Sequence, residues 1–378
     1  MIINLPLSNQ EKIRCAGLMT GTSMDGLDIC VADIQMSKEK LDYQVIGTGE
    51  IPFPQELKQR IRKSLNGSTP LLCELNYDLG RFYGDALSNF LDTERISGVE
   101  LIGTHGQTVH HVSGHSSLQI GEPSFLAERL KVPVVSDFRA KDIAAGGTGA
   151  PLIPFLDQYL FGKQVFGAVL LNIGGVANVT ILPPKQSGMP ILGFDTGPGM
   201  ALLDEQFQRI FAKAYDEDGS LAGEGRINEA LLKMWLQHPF IQAAAPKSTG
   251  RDVFGLNWLD EHQNELDSLA DVDMLATLAA FTADAVALNL QPYLESCEIQ
   301  KLYLSGGGSH HSVISNRLKE KLRSLDLAKT ESLGVDVNSK EALGFAVLAV
   351  AFVKGIPGNI PSVSGAKKPV LLGKLTLG

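Results

Sequence analysis

The chain has 378 residues, 44% hydrophobic and 20% charged, with a net charge of −9. This length suggests about two domains with ample core, and the acidic balance, without a Lys/Arg run beyond two residues, argues against a nucleic-acid or membrane-surface partner. The four cysteines form no C-x-x-C, and H-E-x-x-H is absent, so the sequence carries no zinc signature. Few cysteines fit a reducing compartment, and the opening MIINLPLSNQEKIR lacks the basic start and apolar stretch of a signal peptide. With no apolar run of membrane-spanning length, a cytoplasmic protein is expected.

Ile13 to Met19 and Leu27 to Ile34 read as strands joined by Thr20-Gly21-Thr22-Ser23-Met24-Asp25-Gly26. Glycines permit close backbone approach to a ligand, and successive N–H groups with hydroxyls can wrap a phosphate. Asp25 beside a phosphate would call for a cation such as Mg²⁺ between them. An ordinary hairpin turn explains Asp25-Gly26 equally well, but not the Thr-Gly-Thr-Ser before it. Tyr43 to Ile51 follows as a third strand, then helices over Pro54 to Leu65 and Leu71 to Leu91. Glu100 to Thr104 is a short strand entering a loop with His105 and Gln107. Pro123 to Leu130 is a helix, and Val132 to Val135 a strand ending near Arg139. Ala144 to Ala150, AAGGTGA, is the expected domain boundary and hinge.

Phe166 to Asn172 and Val176 to Leu182 form a second strand pair around Gly174-Gly175, with Ile191 to Phe194 as a third strand. Asp195-Thr196-Gly197-Pro198-Gly199 then leads to a helix from about Ala201. A long helix over Met274 to Leu294 carries the stripe Leu275, Leu278, Phe281, Ala285 and Leu288. Ile299 to Leu304 is a strand ending in Ser305-Gly306-Gly307-Gly308, before a helix over Ser312 to Leu325. The final helix, about Lys340 to Val353, takes Asn338 or Ser339 as its cap. Strand and helix alternation of this kind indicates an α/β fold. Each half opens on a strand-turn-strand hairpin and a third strand, without residue-level repetition. No GxxxxGK[ST] and no early GxGxxG is present, which excludes a P-loop and disfavours a dinucleotide fold.

GLMTGTSMDGLD, GTHGQT, DFRAKDIAAGGTGAPLIP, LNIGGVANVT, GFDTGPG, PKSTGRD and LSGGG occur in that order. Together they resemble the anhydro-N-acetylmuramic acid kinase family, of the sugar kinase, heat-shock chaperone and actin superfamily. The resemblance implies two actin-like (ribonuclease H-like) ATPase domains around a nucleotide cleft. The expected division is 1–143 and 144–378, with 345–378 packing back onto the first domain. It implies ATP and Mg²⁺ and a double reaction: water opens the 1,6-anhydro ring while the freed 6-oxygen takes the γ-phosphoryl group. The partners are then ATP and a small sugar, and family members are commonly homodimers. Two rival functions stay open, another small-molecule kinase of the superfamily or a non-catalytic, nucleotide-gated actin-like protein.

The implied roles follow residue by residue. Gly21, Thr22, Ser23, Met24, Asp25, Gly26, Leu27 and Asp28 match the ATP loop, with Asp25 also a metal ligand through water. Gly174, Gly175, Gly197, Gly306, Gly307 and Gly308 match further nucleotide contacts, though a bare turn would explain the last three. Asp195 matches the catalytic base; an Asp favoured by a helix dipole is the alternative. His105, Gln107, Arg139 and Glu341 match sugar contacts, with Arg139 suited to bidentate binding of the lactyl carboxylate. Structural alternatives are a hydrogen-bonding histidine, an interdomain ion pair for Arg139 and a helix-start Glu341. Lys247 and Arg251 belong to a phosphate-facing loop or form a solvated charge pair. Met200 stands where the family commonly has asparagine.

Overall fold

A computed structural model describes residues 6–21, 24, 26–65, 67–161, 167–251, 253–333 and 337–378. Thr22, Ser23 and Asp25 of the first loop lie outside the described residues. The strands are β1 (Ile13–Met19), β2 (Gly26–Met36), β3 (Leu41–Pro52), β4 (Leu101–Thr104), β5 (Gln107–Val112), β6 (Ser116–Ile120) and β7 (Val134–Ser136), then β8 (Ala168–Ile173), β9 (Val176–Leu182), β10 (Leu192–Pro198), β11 (Lys301–Ser305), β12 (Asp326–Lys329) and β13 (Lys374–Thr376). The chain divides into two compact units, residues 1–160 with 338–378, and residues 161–337.

The first unit holds a sheet in the order β13-β7-β4-β1-β2-β3, the second a sheet in the order β10-β9-β8-β11-β12. In each, the opening three strands form an antiparallel meander. Two further strands run parallel to the first of them. This order and polarity is the ribonuclease H-like pattern of actin-like ATPases, and the chain carries it twice. Strands β1 and β2 are buried almost throughout, as strands covered on both faces must be. Edge strand β3 instead alternates exposed and half-buried positions, which discourages pairing with another chain.

In the first unit each sheet face has its own core. Helices Gln55–Ser64, Thr69–Thr93 and Pro123–Leu130 cover Ala16, Leu18, Ile29 and Val31. Helices Ile153–Phe161 and Val337–Val353 cover Cys15, Cys30, Ala32 and Leu101. The second face is shaped by one glycine pair. Gly17 and Gly103 are partners across β1 and β4. A Cβ at Gly17 would stand 1.9 Å from the Ala342 carbonyl oxygen, and one at Gly103 2.1 Å from that of Phe345. Only glycine at both places lets the helix backbone lie directly on the sheet.

Several sequence expectations change. The expected boundary at 143/144 falls within the first unit, where Ala144 to Ala150 is tied down. Buried Asp142 accepts from Gly149 N at 2.9 Å, Asn359 Nδ2 at 2.8 Å and Ser364 Oγ at 2.7 Å. Thr148 N and Lys367 N close the same knot through the Ser364 and Ala145 carbonyls. Asn338 and Ser339 lie inside the last helix rather than capping it. Gln107 begins β5, so the expected loop is the entry to a β5–β6 hairpin. On helix Asp271–Leu294, Leu288 is 42% exposed and Asn289 is buried instead. The helical repeat turns Asn289 inward, where its side chain donates to the Thr196 and Ala285 carbonyls. Among the described residues no helix is long and apolar enough to cross a membrane.

A strand glycine changed to alanine ordinarily gains a fraction of a kcal/mol. Gly17→Ala or Gly103→Ala should instead lose about 3 kcal/mol or more, because the added carbon meets backbone and the helix must lift. Denaturant titration measures this, and a loss below about 1 kcal/mol would contradict the proposed seat.

Candidate functional site

In the first unit the candidate residues gather at the ends of β1 and β4. His105 follows β4, is 4% exposed and is fixed through its own N–H to the Leu18 carbonyl. Its ring lies 4.7 Å from Phe345, which in turn lies 5.5 Å from Phe138. Arg139 Nε and Nη2 both donate to His105 Nε2, at 3.1 and 3.0 Å, and Nη1 donates to the Gly149 carbonyl at 2.8 Å. A guanidinium only donates, so Nε2 is the bare acceptor nitrogen of a neutral imidazole. Burial, and then the Arg139 charge, hold the His105 pKa far below its ordinary value. The Nε–Nη2 edge expected to meet a carboxylate therefore engages His105. Glu341 lies past the first turn of its helix, so a helix-start preference does not explain it. Its pKa is raised by burial, with Lys340 and Arg139 opposing.

Gln107 is fully buried, and its Nε2 donates to the Gly21 and Thr108 carbonyls, each at 3.3 Å. Among the described residues, Gln107 Oε1, His105 Nδ1 and Thr104 Oγ1 are buried without a hydrogen-bond partner. Such atoms are costly to leave unmade, and a hydroxyl-rich ligand or ordered water would satisfy them. Met24 has φ +58° and, with Leu27, packs into the core, so only their backbones could meet a ligand. Gly26 is forced by close strand approach, since a Cβ would stand 2.6 Å from the Ile51 carbonyl oxygen. Asp28 pairs in register with Met19 and Glu50.

In the second unit Asp195 sits within β10, and helix Ala201–Phe211 begins only later, so a helix dipole does not explain it. The register between β10 and β9 breaks between Asp195 and Gly197, a bulge of the kind that re-aims side chains beside active sites. Thr196 Oγ1 donates to the Ala177 carbonyl, and Thr282 Oγ1 to that of Gly199. The loop 246–251 lies against Asp195. Asp195 N donates to the Lys247 carbonyl at 3.1 Å, and Thr249 N donates to Asp195 Oδ2 at 2.7 Å. Lys247 is buried, and its ammonium donates to the Phe240 and Ile241 carbonyls. Burial pulls its pKa to about 8, with Asp195 opposing. Arg251 pairs with Glu205 at 3.0 Å. Lys247 and Arg251 are thus packed groups, not a solvated pair.

The glycine turns of this unit interlock. Gly306 has φ +79°, and a Cβ there would meet the Ile173 carbonyl oxygen at 2.6 Å. Gly308 is closed by Ile173 and Met200, while Gly307 has open space where a side chain would be. Met200 N donates to the Gly174 carbonyl, and Gly199 N and Ala201 N donate to that of Gly175. Gly174 and Gly175 therefore use their carbonyls to hold the start of helix Ala201–Phe211, and Gly197 takes φ +149°. Among the described residues no group of three His, Cys, Asp or Glu is placed to hold a metal.

The family model described as anhydro-N-acetylmuramic acid kinase matches residues 13–378. The chain belongs to that family. A relative of that name from Bacillus cereus (strain AH820) is 36% identical over 375 residues, covering 96% of this chain and 98% of the relative. Another from Bacillus thuringiensis subsp. konkukian (strain 97-27) is 36% identical over 374 residues, covering 95% and 98%. A solved structure, component A of (R)-2-hydroxyglutaryl-CoA dehydratase from Acidaminococcus fermentans, aligns with a TM-score of 0.46 at 11% identity over 90% of this chain and 99% of that one.

Family motifs pointed to His105 and Gln107 but not to their neighbours. Thr20 and Thr104 lie inside the quoted motifs without being singled out by them, and only tertiary packing shows that the Thr104 hydroxyl is buried and unsatisfied and that Tyr83 meets Thr20. His111 joins the group through the Arg139 charge. Its pKa falls to about 4, from burial first and then Arg139.

Both histidines bind protons less readily folded than unfolded. Below about pH 6.5, the unfolded imidazole value, the unfolded chain takes up protons first. Their contribution is complete above that pH and is lost as pH falls, for His111 through about 4. Each adds a slope of up to about 1.4 kcal/mol per pH unit. His105→Gln should flatten the acid side of the stability–pH curve by its share, measured by denaturant titration from pH 7.5 to 5. An unchanged slope would show that His105 titrates normally.

Proposed function

We propose that this protein is an ATP-dependent kinase that opens 1,6-anhydro-N-acetylmuramic acid with water and phosphorylates its 6-oxygen, giving N-acetylmuramic acid 6-phosphate. Family membership supports the substrate, and one observation carries the chemistry: Asp195 is a buried carboxylate on a strand bulge, held by Thr249 N at 2.7 Å. A carboxylate so oriented can take the proton of a water attacking the anomeric carbon. The bond from that carbon to the 6-oxygen breaks, its electron pair stays on oxygen, and this oxygen bonds to the γ-phosphorus as ADP leaves.

In this reading His105, Gln107, Arg139 and Glu341 hold the sugar. Arg139 supplies positive charge toward the lactyl carboxylate, while His105 sets its orientation. The unsatisfied Gln107 Oε1 and His105 Nδ1 would take sugar or water hydrogen bonds. In the second unit Gly306 to Gly308 would contact ATP, and in the first unit the loop from Gly21, with Thr22, Ser23, Gly26 and Asp28, would contact its phosphates. Gly174, Gly175 and Gly197 would support that position through the turns they build. Mg²⁺, held through Asp25, would neutralise phosphate charge. The substrates belong to peptidoglycan recycling in the cytoplasm, and a homodimer is the proposed assembly.

Asp195→Asn keeps the shape and removes the base. Calorimetry should find both substrates bound near normally, while kcat falls about 10²- to 10⁴-fold. If the variant keeps more than about a tenth of wild-type kcat, another group is the base, and Glu341 is the next to replace.

A further inference from the structure

The loop 246–251 holds Asp195 through two main-chain groups, the Lys247 carbonyl and the Thr249 N–H. The Thr249 side chain has no part in that clamp. Its Oγ1 is buried and, among the described residues, has no hydrogen-bond partner. Three covalent bonds separate it from the nitrogen that donates to Asp195 Oδ2, so the hydroxyl belongs to the residue that clamps the carboxylate. A buried hydroxyl without a partner is costly, and threonine at this place offers valine's shape plus that cost. The Lys247 ammonium, by contrast, has two carbonyl acceptors of its own, and Arg251 Nη1 has Glu205.

We propose that the Thr249 hydroxyl is a catalytic group that positions the attacking water. This rests on the reading of Asp195 as the base. The water donates one hydrogen to the Asp195 carboxylate and the other to Thr249 Oγ1, which turns a lone pair toward the anomeric carbon. As that carbon–oxygen bond forms, the first proton passes to Asp195, and the second stays on the new anomeric hydroxyl. The electron pair of the broken ring bond leaves with the 6-oxygen, and Thr249 itself neither gains nor loses a proton.

Every substitution at this position except proline keeps the N–H that holds Asp195, so the side chain can be tested alone. Thr249→Val should lower kcat about tenfold to a hundredfold, the loss of one strong hydrogen bond at the reacting centre. KM for ATP and sugar should stay within about twofold, and Thr249→Ser should restore kcat to within about threefold. The acid limb of the pH–rate profile should not move, since Asp195 keeps its backbone donor. Thr249→Ala is read the same way if the valine variant does not fold. Kcat above half of wild type in Thr249→Val would overturn the proposal. So would a serine variant as slow as valine, or an acid limb displaced in either, which would mark a structural role. An Asp195→Asn enzyme that stays active refutes the base itself, whereas an inactive Asp195→Asn with a fully active Thr249→Val refutes only the water-positioning role.

Discussion

The first unit depends on the contact between a glycine pair and one helix. Gly17 and Gly103 stand side by side on neighbouring strands and leave no room for a methyl group beneath Ala342 and Phe345. The helix Val337–Val353 rests there, nearly all apolar beyond Glu341. From that seat it presents Glu341 and places the Phe345 ring against His105. His105 in turn fixes the Arg139 guanidinium through its bare nitrogen. A backbone distance in the core thus bears on the orientation of the part-buried Arg139 charge. The Lys340–Asp157 ion pair, 7% and 2% exposed, anchors the same helix beside Glu341; buried pairs of this kind serve geometry more than net stability.

The second unit reaches a comparable result by a different device. A bulge on β10 turns Asp195, and the 246–251 loop holds it by main-chain groups. The long helix Asp271–Leu294 fixes the bulge from the other side, since Asn289 and Thr282 donate to the Thr196 and Gly199 carbonyls. Two polar residues in a helix interior would be unfavourable by propensity alone; here they satisfy carbonyls that the irregular strand leaves unpaired.

Strand-turn-strand openings in both halves were legible because small-residue turns between apolar runs are local signals. So was the α/β class; Asp195, expected just past a strand ending at Phe194, lies instead within β10 at its bulge. Asn289 was not, because its position on the buried face depends on helix rotation and on a carbonyl exposed by a distant bulge. Ala144 to Ala150 looked like a linker because small residues also build tight, buried turns; Asp142, far from Asn359 and Ser364 in sequence, decides between the two. The motifs named His105 and Arg139 singly, whereas their mutual hydrogen bonds come from tertiary packing. Thr249 was hidden inside PKSTGRD, behind the two charged residues that draw attention.

Hydrolysis and phosphoryl transfer in one turnover is the central claim. It is tested most directly by the mass of the product formed by the unaltered enzyme in heavy-oxygen water, with ATP, Mg²⁺ and the anhydro sugar. The account predicts one solvent oxygen in the phosphosugar, at the anomeric carbon, and none in the phosphoryl group. A phosphosugar without solvent oxygen, or label in phosphate released without sugar, would contradict it.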